Sequence, residues 1–167
     1  AKYFAALAKN RIKENNISVG VHLTINSDDE NNKWQSITNA KSLGIDGLPT
    51  NPIKAKRKDV RNELEAQYQY IIRNGAIVDH ADNHCGTLYG INGRRFFLDA
   101  FDFCSEHNLP FRFPKTAGFL ERQLGVKIPK PVIALQNAIV KSGEKRNVQM
   151  LDDLVSNPWS MERIKKD

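Results

Sequence analysis

Apolar and polar side chains alternate in two short runs of this chain, and each run carries histidine. In Val19–Ile25 the period of two puts Val19, Val21, Leu23 and Ile25 on one side and Gly20, His22 and Thr24 on the other, which predicts a buried strand with a histidine opposite its apolar face. The second run, Ile77 to Gly86, reads I-V-D-H-A-D-N-H-C-G. It predicts a strand over Ile77–Asp82, with His80, Asp82 and His84 on one face and Asp79, Ala81 and Asn83 on the other.

Helical periodicity separates the strands. Val60, Leu64, Tyr68, Ile71 and Ile72 share one face of a helix predicted over Asp59–Asn74, with Asp59 as N-cap and Gly75 as the stop. A second helix is predicted over Arg94–His107 from Phe96, Phe97, Ala100, Phe101 and Cys104, ended by Asn108 and Pro110, and a short strand follows at Phe111–Phe113. The order strand, helix, strand, helix, strand implies a mainly parallel sheet covered by helices, an α/β fold. Weaker patterns predict helices over Ala1–Asn15, Pro131–Val140 and from Asn157-Pro158 through Ile164, and a long irregular loop from Asn26 through Pro52 with Gly44, Gly47, Pro49 and Pro52.

Composition narrows the class. With 167 residues, 40% hydrophobic and 26% charged, the chain has the size and balance of one globular domain. No run approaches the roughly 18 apolar residues of a membrane helix, and no signal peptide is visible, so a soluble, cytoplasmic chain without a membrane partner is expected. Cys85 and Cys104 are too few for a disulfide framework, which suits the same compartment. A net charge of +6 and a pI near 9.4 raise a nucleic-acid partner. The basic residues fall in separate clusters, at Lys54–Lys58, Lys127–Lys130, Lys141–Arg146 and Arg163–Lys166, without interleaved aromatics, so solvated loops and helix ends are the favoured reading and no nucleic acid is expected.

Three of the four histidines lie in the two strand runs. In parallel α/β folds the carboxyl ends of strands carry the active site, where His22 and His84 would converge. Imidazoles bind divalent metals, a metal can polarise a carbonyl and acidify a water, and a neighbouring carboxylate can take the proton. Against this stands the plainer reading of a satisfied core histidine and polar loop residues. On spacing alone the two are about even.

The runs G-V-H-L-T (Gly20–Thr24), D-V-R-N-E-L-E-A-Q-Y (Asp59–Tyr68) and H-A-D-N-H (His80–His84), in this order, resemble the YdjC-type carbohydrate deacetylases, also called chitooligosaccharide deacetylases. The similarity runs from about Val19 to Arg112. It implies a TIM-barrel-like, distorted β/α-barrel fold and removal of acetyl groups from N-acetylglucosamine-containing oligosaccharides. It also implies one divalent ion held by His22 and His84 together with an N-terminal aspartate, Asp82 and His80 as the catalytic members of the second motif, and Arg112, which ends E-H-N-L-P-F-R, as a substrate contact. Two imidazoles favour zinc on ligand softness, and the resemblance also carries magnesium.

The chain departs from the family pattern in four places. No Asp-Asp pair is followed by Phe-Gly, since Asp28-Asp29 runs into Glu30 and Asp152-Asp153 into Leu154; no His-Pro follows His107; Asn83 stands for the usual serine; and Cys85-Gly86-Thr87 replaces a histidine-rich run. Residues 1–167 are therefore expected to form a single α/β domain that is the central portion of a longer deacetylase domain, lacking its N-terminal strand and C-terminal part, with the acidic ligand and general base outside. A homo-oligomer is left open. The alternative is a non-catalytic α/β module binding sugar or nucleic acid; steep weakening by salt would mark phosphate binding, and insensitivity a neutral sugar.

Overall fold

The computed structural model describes residues 17–27, 34–43, 54–90 and 94–154. Four strands, β1 (Gly20–Leu23), β2 (His80–Asn83), β3 (Phe111–Pro114) and β4 (Met150–Leu151), form one sheet in the order β1-β2-β3-β4, every pair parallel. Between them run α1 (Arg57–Arg73), α2 (Phe97–Glu106), α3 (Gly118–Leu124) and α4 (Lys130–Glu144), with short 3-10 turns at Lys41–Leu43 and His84–Gly86. This is the α/β architecture that the alternating patterns predict. The helices predicted over Ala1–Asn15 and Asn157–Ile164 lie outside the described residues, as does most of the Asn26–Pro52 loop.

The strands form where one face can be dried. Val21, Leu23, Ile25, Ala81, Phe111 and Phe113 are buried against the helices, where Val60, Leu64, Phe96, Ala100, Phe101 and Cys104 meet them in one core. His22, on the opposite face, is half exposed. The β2 strand starts three residues later than its apolar run suggests: Ile77 is 73% exposed, and pairing begins with the Asp79 amide on the Val19 carbonyl.

Asp59 is not the N-cap of α1. The helix begins two residues earlier, and Ser42, brought in from the preceding loop, accepts the Lys56 amide at 3.0 Å and donates to Asp59 at 2.6 Å, so a remote hydroxyl takes over the capping role. At the other end Gly75, at φ +86, adopts the left-handed conformation that stops the helix, and its amide bonds the Ile72 carbonyl.

The α4 helix is longer than Pro131–Val140 and its predicted face divides. Ile139 and Val140 are buried, but Val132 and Leu135 are exposed, because only the carboxyl half of α4 lies on the core. Gly143 comes so close to Met150 and Phe101 that a side chain there would collide with both. Residues 150–151 add β4, a strand too short to leave a pattern.

Candidate active site

Parallel pairing in register places His22 opposite Asp82, with both side chains on the face turned away from the core. Asp82 divides its oxygens between two partners. Oδ1 lies 2.6 Å from His22 Nδ1, and Oδ2 lies 2.9 Å from the Arg112 guanidinium on β3. Burial pushes the Asp82 carboxyl up, but the His22 hydrogen bond and the charge of Arg112 outweigh it and hold the pKa below the ordinary carboxylate value. An ionised Asp82 can only accept, so His22 Nδ1–H donates to it.

His22 Nε2 faces His84 Nδ1 at 3.2 Å, the two rings edge-on at 85°. His84 stands just past β2 in the turn His84–Gly86, where Cys85 (φ 48) and Gly86 (φ 64) are both left-handed, so the chain doubles back and returns the imidazole to the His22 side. Cys85 Sγ lies 3.4 Å from the other ring nitrogen of His84. Two nitrogens bound to one tetrahedral zinc lie about 3.3 Å apart, so this pair fits two adjacent ligand positions, with Asp82 behind His22 in the orienting role that carboxylates play at metal sites. Among the described residues no group of three or more His, Cys, Asp or Glu side chains is arranged to hold a metal. The described donor set thus amounts to two imidazoles.

His80 is not joined to this cluster by a hydrogen bond. It opens β2 opposite Gly20, one strand repeat before Asp82, with Nδ1 2.6 Å from Asp79 Oδ1 and 3.3 Å from Ser18 Oγ. The Ser18 hydroxyl also donates to Asp79, and the His80 hydrogen bond is the main reason that the Asp79 pKa is lowered. The His80 ring lies over Gly20 so closely that a Cβ there would fall 2.2 Å from Nε2. Gly20→Ala is therefore expected to swing this half-exposed ring away, costing no more than about 1 kcal/mol. Imidazole NMR together with thermal melting checks it: an unmoved His80 resonance would contradict the geometry.

Several residues that support this face escaped the sequence reading. Glu63 and Gln67 are buried on α1. The Glu63 carboxylate accepts the Ile37 and Thr38 amides, the Thr38 hydroxyl and the Gln67 side-chain amide. Gln67 binds both backbone groups of Thr24, the residue after β1. Their positions with Val60 and Leu64 (i, i+3, i+4, i+7) follow the core stripe of a helix, the one signal that could have exposed them. Asn26 and Thr87 form a buried bond between the loops after β1 and β2. Tyr89, whose pKa burial pushes up to about 12, donates to the Arg112 carbonyl. Among the described residues neither Cys85, which is exposed, nor Cys104, which is buried, is in a disulfide, and burial pushes the Cys104 pKa up to about 12.

The fold is similar to a crystal structure of a proposed cellobiose-phosphate cleavage protein from Enterococcus faecalis, with a TM-score of 0.63 at 18% identity, over 96% of this chain and 58% of that one. This chain thus spans little more than half of that protein. A comparison with curated proteins gave no match. The family model for YdjC-like protein matches residues 1–165, and with nearly the whole sequence so covered, the chain belongs to the YdjC-like family.

Proposed function

We propose that this chain carries the histidine side of the catalytic centre of a metal-dependent carbohydrate deacetylase, which hydrolyses the acetamido group of an N-acetylated amino sugar or chitooligosaccharide. The observation that carries the reading is the His22–His84 nitrogen pair backed by Asp82 and Arg112. In this proposal the four parallel strands are an arc of a distorted β/α barrel whose inner face bears His22, His80, Asp82 and Arg112.

His22 through Nε2 and His84 through Nδ1 would hold the ion, zinc by donor type or magnesium by family resemblance. When bound, such an ion supplies Lewis-acid polarisation of the amide carbonyl and a more acidic water. The described residues would hold and orient the ion's ligands and supply the acid, while the acidic ligand and the base that takes the water's proton would come from outside them. Asp82 keeps the His22 proton on Nδ1, and Arg112 offsets its charge so that it does not take that proton up. His84 frees Nδ1 by carrying its proton on Nε2, beside Cys85 Sγ. His80, fixed through Nδ1 by Asp79, is the proposed proton donor to the leaving amine through Nε2. Arg112, at the edge of the cluster, is the proposed hydroxyl contact of the sugar.

Metal content and acetate release from N-acetylglucosamine oligosaccharides, assayed with zinc, manganese or magnesium, test this on the full-length protein that contains this chain. His22→Ala and His84→Ala are each expected to lose most of the bound metal and at least about 100-fold in turnover. Full metal stoichiometry in both variants would overturn the assignment.

A further inference from the structure

The backbone register that sets His22 against Asp82 does not reach His84. His84 lies beyond the last paired residue, Asn83, in a turn containing two left-handed residues, so something other than the sheet must fix how far it stands from His22. Among the described residues a buried hydrogen bond ties the two segments together, beside the direct contact of the two rings. Thr87 Oγ1 donates to Asn26 Oδ1 at 2.6 Å, with the two residues 1% and 5% exposed. Each end is anchored to a histidine-bearing segment. The Thr87 amide bonds the His84 carbonyl and closes the turn, while Asn26 Nδ2 donates to the Ser27 carbonyl and so holds its own loop in shape. Two residues before Asn26, the Gln67 side chain grips Thr24 at both backbone groups, so the segment after His22 is fixed to α1.

We infer that Asn26 and Thr87 are positioning residues that set the separation of His22 and His84. The inference rests on the proposed role of those histidines as ligands. A buried hydroxyl-to-amide bond holds its partners to one geometry, and its loss leaves the Asn26 oxygen without this donor in a dry site, so the turn moves to relieve it. The His22–Asp82 contact, held by the sheet, stays.

This difference between two histidines is what the experiment reads. In metal-free protein with nitrogen-15-labelled histidine, Thr87→Val is expected to shift or broaden the ring-nitrogen signals of His84 while the Nδ1–H of His22 keeps its hydrogen-bonded position. Thr87→Ser, which retains the hydroxyl, should restore the His84 signals, whereas Thr87→Ala, which matches serine in lacking the methyl, should not. The serine and alanine pair decides the matter even if the valine variant does not fold. Zinc titration should show a loss of about 10- to 100-fold in affinity for alanine relative to serine. Unchanged His84 signals in Thr87→Ala, or equal displacement of His22 and His84, would overturn the inference. Wild-type protein that binds no zinc, with His84 still displaced in Thr87→Ala, would instead count against the metal reading and leave the positioning role standing.

Discussion

Asp82→Asn is expected to lower turnover by about 100-fold or more while shifting stability by less than about 1 kcal/mol. The substitution keeps the shape and removes the charge. An amide that turned its NH2 toward His22 would force Nδ1 to accept, moving the ring proton to Nε2, the atom that faces His84. Arg112 would lose its carboxylate partner in the same step. Zinc affinity should fall by about 10- to 100-fold, since the imidazole no longer presents a lone pair in the required direction. Turnover, zinc affinity and the melting curve measured on the same preparation separate the outcomes. A variant that keeps wild-type turnover per folded molecule but melts several degrees lower would make Asp82 a structural residue.

Glu63→Leu is expected to cost about 2–3 kcal/mol, the largest stability effect of any substitution considered. Glu63 is fully buried and serves as acceptor for four donors, two of them backbone amides of Ile37 and Thr38. Leucine fills much of the volume but leaves the buried Gln67 amide without this acceptor and hands the Ile37 and Thr38 amides to water, and a buried unpaired polar group costs on the order of 1–3 kcal/mol. The damage should extend to Gln67, which loses Glu63 as an acceptor while still bonding Thr24, so the segment following His22 should loosen. Urea unfolding gives the free energy. A loss below about 1 kcal/mol would mean that the 36–38 segment is held by something other than this carboxylate.

How far the sequence discloses the fold differs from element to element. The strand around His22 is legible because its faces differ in kind: Val21 and Leu23 are dried by helices, and His22 faces outward. The start of β2 is less so, since Ile77 and Val78 look like strand core while Ile77 is exposed. Hydrophobicity reports what a residue prefers, and pairing with β1 decides where the strand begins. The first half of α4 fails similarly, its Val132, Ile133 and Leu135 lying on the surface. Of the site, pattern brings His22, Asp82 and His84 together and aligns His80 with them, but the hydrogen bonding of His80 to Asp79 and Ser18 depends on where its strand begins. Arg112 could be nominated only by family likeness; its contact with Asp82 follows from β2–β3 pairing, a long-range property. The least legible group is the buried polar one. Glu63, Gln67, Asn26 and Thr87 find partners through the path of the chain, and local sequence carries no record of that path.

The in-register pairing of β1 with β2 has a consequence for how this protein can vary over evolutionary time. A one-residue slip of β1 against β2 would exchange inside and outside along the strand, exposing Val21 and Leu23 and driving His22 into the hydrocarbon interior. Selection for a dry core therefore also purges frame errors in the histidine-bearing face, whatever that face is used for. The loops past the strand ends lack that protection, so outside the buried Asn26–Thr87 tie and His84, insertions and substitutions should accumulate there while the spacing of His22 and Asp82 stays constant.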